Sequence, residues 1–170
     1  MLHYFGRVIP LAEQKTNVMR TLTQKKISYT AYEYPHGDAP VDGVTVARMT
    51  GLDPAMVFKT LVCRGASKAV YVFCIPVASE LDLKKAAKAV GEKSVAMIHV
   101  SEISALTGYV RGGCSPVGMK KQYRTTFHAS IDELDTVVVS AGKIGYQVAL
   151  APGELIGLVR GGIADITTED

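Results

Sequence analysis

The chain has 170 residues, 48% hydrophobic and 21% charged, a globular composition that excludes a wholly disordered polymer. Its net charge of +3 hides an asymmetry: residues 1–131 carry 17 Lys/Arg against 9 Asp/Glu, a net of +8, and residues 132–170 carry 2 against 7, a net of −5. The longest apolar run, Ala69–Ala78, is too short for a membrane span and contains Pro76, so no membrane partner is expected. No secretory leader is visible at the N-terminus, and a cytoplasmic location is expected.

Residues 1–14 show no period and read as an N-terminal extension to a domain at 15–170. Val18, Met19 and Leu22 fall at helical spacing within Lys15–Lys26, with Thr16 or Asn17 as cap. Ile27–Tyr34 alternates as a half-buried strand, and Pro35–Gly43 is a loop. Thr45–Thr50 predicts a short helix closed by Gly51, and Asp53-Pro54 opens another turn. Phe58–Arg64 and Ala69–Val77 predict a strand pair joined by Gly65–Lys68. Asp82 caps a helix over Leu83–Val90 that Gly91 ends, with Leu83, Ala86, Ala87 and Val90 as its apolar stripe. Val95–Ile98 is strand-like, and Ser101 starts a helical turn that Gly108 stops. Gly112–Gly118 is the densest loop signal, inside an acid-free stretch from Ile103 to Ile131 with four bases. Thr136–Ser140 and Gln147–Leu150 read as paired strands, and Pro152–Val159 as the last helix. The irregular alternation predicts a mixed sheet with flanking helices.

The chemistry-bearing residues are few. The chain has no H-x-x-x-H, no H-E-x-x-H and no cysteine pair, so neither a metal nor another cofactor is expected. There is no G-x-S-x-G elbow, and Gly112–Gly118 fits neither a Walker loop nor a dinucleotide fingerprint. Cys63 and Cys74 lie in apolar strands as packing residues. Cys114 sits in a loop, where a nucleophile would need His99 or His128 beside it. Lys59, at the start of an apolar strand, reads either as a snorkelling edge lysine or as a partner for an anion. The pair Gly112-Gly113 before Ser115 reads either as a tight turn or as backbone N–H groups presented to an oxygen.

Four ordered segments carry a resemblance. They are Val57–Leu61, then Pro76–Ala78 with Leu81–Ala89, then Thr107–Gly118 with Lys120-Lys121, then Ser140–Lys143. Together, over about Lys15 to Ile166, they resemble the YbaK/EbsC family of Cys-tRNA(Pro) deacylases, related to the editing domain of bacterial prolyl-tRNA synthetases. The resemblance implies an α/β (α+β) fold, a mixed and largely antiparallel sheet curled into a barrel-like domain with flanking helices. It implies a trans-editing enzyme that hydrolyses the ester of mischarged aminoacyl-tRNA, most readily Cys-tRNA(Pro). The attacking group would be the substrate's own thiol, giving a cyclic thiolactone.

By the same resemblance Lys59 anchors the terminal adenosine, and Gly112, Gly113 and Ser115 face the aminoacyl carbonyl. Tyr34, Thr60, Ser140 and Gln147 line the substrate pocket. Gln147 stands where the family usually carries Asp, Phe58 where it carries Tyr, and Ala141 where it carries Gly. Lys84, Lys85, Lys88, Arg111, Lys120, Lys121 and Arg124 form the expected tRNA-facing footprint, and a prolyl-tRNA synthetase is the implied partner for choosing the tRNA. Three other readings remain open: a non-catalytic module holding the aminoacyl-tRNA end or a nucleotide, a cysteine-dependent enzyme using Cys114, and a regulatory or scaffold domain.

Overall fold

The computed structural model describes residues 6–10 and 16–169. In chain order these form β1 (Arg7–Val8), α1 (Asn17–Gln24), β2 (Tyr29–Glu33), α2 (Gly43–Thr50), β3 (Phe58–Gly65), β4 (Val70–Pro76), α3 (Leu83–Val90), β5 (Val95–Met97), α4 (Val100–Thr107), β6 (Arg124–His128), β7 (Val137–Ser140), β8 (Tyr146–Leu150), α5 (Pro152–Val159) and β9 (Gly162–Ala164).

Local chemistry explains most boundaries. The Thr16 hydroxyl accepts the Met19 N–H at 3.2 Å and starts α1, which buries Val18, Met19 and Leu22. The Asp82 carboxylate accepts the Lys84 and Lys85 N–H groups, each at 3.0 Å, and Gly91 closes α3 in the left-handed region at φ 74. Ala86, Ala87 and Val90 of α3 are buried, but Leu83 is 43% exposed and drops out of the predicted stripe. α4 begins at Val100, before the expected Ser101. Its cap is His99, whose Nδ1 accepts the Ser101 N–H while the Glu102 carboxylate accepts the His99 N–H.

The strands make two sheets, which corrects the expected single curled, barrel-like sheet. One runs β1-β2-β8-β7, antiparallel throughout, and the other β5-β3-β4-β6-β9. In the second, β5-β3-β4 are antiparallel and β4-β6-β9 parallel. β1 and β7 end one sheet and β5 and β9 the other, so nothing closes. The sheets meet at a parallel bridge between Val57 and Val138. The expectation of a mixed, largely antiparallel α+β arrangement with flanking helices holds.

β4 is the middle strand of the second sheet and is covered on both faces. Its Val72 and Cys74 enter the core shared with α1, α5 and the first sheet, while Phe73 and Ile75 pack with Ala86, Ala87 and Val90 of α3. Successive residues of a strand point to opposite faces, so an apolar run without alternation fills both.

Three strands were not predicted. β6 lies in the stretch that reads as a basic loop, yet Thr125, Thr126 and Phe127 are buried. β9 is a three-residue edge strand. β1 falls in the tract that reads as an extension. Arg7 pairs with Glu33 at 2.8 Å, and the Ile9 N–H donates to the Ala31 carbonyl at 2.7 Å. The rest of that tract and the boundary expected at 14/15 lie outside the described residues.

One carboxylate ties the β3–β4 turn to the end of α3. Glu92 accepts from the Ser67 N–H at 3.1 Å, the Ser67 hydroxyl and the Tyr71 hydroxyl at 2.7 Å. Those donors, Ser67 foremost, hold its carboxyl below the usual range. A depressed folded value stabilises the fold above the unfolded carboxylate range and ceases to do so as pH falls through it. Glu92→Gln therefore flattens the acid limb of the stability curve, as thermal melts over a pH series would read; an unchanged acid limb would exclude the coupling.

Candidate active site

The turn residues and strand ends of both sheets surround a cavity of about 200 Å³. β3 brings Phe58, Lys59, Thr60 and Leu61 to it, and residues just after β2 bring Tyr34. The β7–β8 connection brings Ser140, Tyr146 and Gln147, and the loop after α4 brings Arg111, Gly112 and Cys114. Val46 of α2, with Val41 and Val77, completes an apolar wall. Of the residues singled out by sequence, the cavity thus gathers Lys59, Thr60, Gly112, Tyr34, Ser140, Gln147 and Arg111.

Gly113 and Ser115 do not line it. Ser115 is fully buried and its hydroxyl accepts the Val117 N–H at 3.3 Å. The Gly113 N–H donates to the Val110 carbonyl at 3.0 Å. The glycine pair has a steric use. Gly112 has φ +88, and a Cβ there would stand 2.7 Å from Pro40 Cβ; one on Gly113 would stand 3.0 Å from the Lys143–Ile144 backbone. Two loops can therefore press on this segment. The Gly112 N–H has no partner among the described residues.

The lining is chemically uneven. Lys59 is half-buried at register with Ile75 and has neither a carboxylate nor a hydrogen-bond partner among the described residues. Arg111 is the other cation, and among the described residues no Asp or Glu lines the cavity. Tyr34 is buried, and loss of solvation raises its phenol above the usual value, so it stays neutral. The Ser140 hydroxyl accepts the Gly142 N–H at 3.2 Å. Thr60 Oγ1 accepts from Cys74 Sγ at 3.8 Å. Gln147, paired in register with both Tyr32 and Ser140, is 7% exposed, and its Oε1 is buried with no hydrogen-bond partner. A buried acceptor left unmade is costly, so this atom points to a donor supplied from outside.

The thiols are quiet. Burial pushes Cys114 up to about 11, against a smaller opposing hydrogen bond from Thr107, and pushes Cys63 and Cys74 up to about 12. Neither histidine stands as a base: His99 caps α4, and His128 Nδ1 accepts the Ile166 N–H at 3.2 Å. Among the described residues no group of three or more His, Cys, Asp or Glu gathers that could hold a metal.

The expected basic footprint is scattered. Lys84, Lys85 and Lys88 ride α3 and do not line the cavity. Lys85 donates to Asp165 at 3.1 Å and to the Thr167 carbonyl at 2.9 Å. Arg124 donates to the Val90 and Ala89 carbonyls at 3.3 and 3.5 Å. Lys121 stands 5.9 Å from the centre of the Tyr123 ring, and Lys120 lines a separate cleft. Tyr146, Val41 and Val46 were missed because a tyrosine or valine in an apolar tract has no chemical signature. No described helix is long and apolar enough to cross a membrane.

The chain and its fold have counterparts among known proteins. Residues 41–158 match the model of the aminoacyl-tRNA editing domain, and the chain belongs to that family. It is 44% identical over 158 residues to the Enterococcus faecalis (strain ATCC 700802 / V583) protein named "Putative Cys-tRNA(Pro)/Cys-tRNA(Cys) deacylase EbsC", covering 93% of this chain and 96% of that one. Two solved structures share the fold. One, described as "a putative trans-editing enzyme for prolyl tRNA synthetase", has TM-score 0.78 and 23% identity, covering 96% of this chain and 100% of that one. The other, a hypothetical protein APE2540, has TM-score 0.79 and 20% identity, covering 89% and 99%. The resemblance drawn from the four sequence segments thus holds at the level of the family.

Proposed function

We propose that this protein is an aminoacyl-tRNA deacylase that clears a small amino acid, cysteine above all, from tRNA(Pro) with chemistry the substrate supplies. One observation carries the reading: a cavity of about 200 Å³ gathers Lys59, Gly112, Tyr34, Ser140 and Gln147, while its one thiol is pushed up to about 11. Such a site binds and polarises an ester without an activated nucleophile of its own. Membership of the editing family supports the deacylase class, and the Enterococcus relative's name supports the substrate.

In this reading the Lys59 ammonium pairs with the anionic end of the terminal nucleotide, and the Gly112 N–H donates to the aminoacyl carbonyl as charge builds on it. Gln147 Oε1 accepts from the substrate's amino group, and the apolar wall of Val41, Val46 and Val77 limits side-chain size. The cysteine sulfur adds to its own carbonyl carbon and the carbon–oxygen bond to the ribose breaks. The thiol proton passes to the departing ribose oxygen. The products are a cyclic thiolactone and a tRNA with a free hydroxyl. An alanyl ester has no thiol and needs water in that place. A prolyl-tRNA synthetase partner would add the choice of tRNA.

The test is deacylation of Cys-tRNA(Pro) beside Ala-tRNA(Pro), by the intact protein and by Cys114→Ser. Turnover of the cysteinyl ester is expected, with Cys114→Ser within about threefold because its thiol stays protonated. Binding without turnover would make the chain a non-catalytic module. Loss of activity in a folded Cys114→Ser would transfer the chemistry to the enzyme thiol.

A further inference from the structure

A second opening of about 580 Å³ is lined by Gly142 and Lys143 of the β7–β8 connection, with residues of α1 and of the segment after α4. Arg20, Lys120 and Lys143 line it, and among the described residues no Asp or Glu does. Lys120 and Lys143, exposed and without a carboxylate partner among the described residues, give the cleft a positive field that favours a bound anion.

The cleft is built around one aromatic post. Tyr109 is 7% exposed, and its hydroxyl donates to the Val117 carbonyl at 2.5 Å. A Cβ on Gly142 would stand 2.9 Å from its ring, and one on Gly118 would stand 2.8 Å from its hydroxyl. The start of α1, the loop after α4 and the β7–β8 connection therefore close on the same side chain, so the lysines are held on a preformed surface. The cleft also has a fixed relation to the cavity. Lys143 sits between Ser140 and Gln147, which line the cavity, and its carbonyl accepts the Tyr146 N–H at 3.2 Å.

We infer that this cleft binds backbone phosphates of the tRNA next to the esterified end, so that Lys120 and Lys143 seat the RNA while the cavity takes the aminoacyl group. The inference rests on the deacylase reading for the identity of the RNA. It keeps Lys120 from the expected footprint, leaves out the α3 lysines, and adds Arg20 and Lys143, which that footprint did not contain. Lys143 was legible only as the end of the Ser140–Lys143 segment, because it lies in the acidic stretch 132–170, where local charge counting points away from RNA.

The measurement is binding of uncharged tRNA across a salt series by the intact protein, by Lys120→Gln/Lys143→Gln and by Lys120→Glu/Lys143→Glu. Both lysines are exposed, so folding should be retained, and circular dichroism would verify it. The neutral pair should raise Kd about tenfold and lower the slope of log Kd against log salt by about 1 to 2, with a larger effect for the charge reversal. Release of the amino acid from an aminoacylated terminal adenosine, too short to reach the cleft, should be unchanged. An unchanged Kd and slope would overturn the inference, as would an equal loss on the short ester. If the intact protein releases no amino acid from either substrate while the tRNA affinities still separate, the deacylase reading fails and the cleft stands.

Discussion

Lys59→Ala should reduce kcat/KM for deacylation by at least about a hundredfold while leaving the thermal midpoint unchanged or higher, because a desolvated anchor for negative charge is typically worth about 3–4 kcal/mol in the transition state. The two readouts separate because the Lys59 ammonium has no side-chain partner that holds the fold together. It has no carboxylate or hydrogen-bond partner among the described residues, and it is half-buried beside a second cation, Arg111. An ammonium with no carboxylate partner in the cavity is left available to an incoming anion. Lys59→Arg should restore part of the loss, since charge survives while the compact ammonium geometry does not. A folded Lys59→Ala enzyme with near-normal kcat/KM would remove the anchor role altogether.

Gln147→Leu should be the second large effect, and the two properties it changes should move in opposite directions. The orphaned Oε1 is a buried acceptor with no hydrogen bond, which costs about 1–3 kcal/mol in the free protein. An apolar side chain of similar length removes that cost, so the melting temperature should hold or rise. In the proposed reading it also removes the acceptor for the substrate's amino group, so kcat/KM should fall by about ten- to a hundredfold. An ester of the same acid lacking the amino group should be cleaved equally by both proteins. A drop in melting temperature with full activity would make Gln147 a packing residue.

The elements that were legible in the sequence are those with local causes. Thr16 and Asp82 cap helices where a polar side chain precedes an apolar stripe, and Gly51 and Gly91 end two helices in the left-handed region; α2 starts two residues before the expected Thr45, capped by Asp42 from the segment that reads as loop. The pairing of β3 with β4 follows from two apolar runs and a short turn. β6 was hidden because Thr125 and Thr126 sit between Arg124 and His128, and only the parallel neighbours β4 and β9 turn that polar segment into an interior strand. The split into two sheets was equally hidden, since a strand's own residues do not name its partner. In the site, Lys59, Gly112, Tyr34, Ser140 and Gln147 were within reach through motif order. The burial of Ser115 and the use of the Gly113 N–H were not, because both depend on how the loop folds back on Val110 and Val117. Lys85 and Arg124 read as free surface charge, but Asp165, Thr167 and the end of α3 claim them from distant parts of the chain.

The bridge between Val57 and Val138 has a bearing on how selectivity can change over time. Lys59 and Thr60 belong to one sheet, Ser140 and Gln147 to the other, and the cavity is the gap between them. The fully buried valines at that junction help set the angle between the sheets, and with it the width of the cavity. Discrimination between side chains that differ by one methylene is worth only about 1–3 kcal/mol, which a slight opening of the angle can erase or invert. Natural variation in preferred amino acid within this architecture can thus accumulate at core positions that never touch substrate, leaving every lining residue as it was.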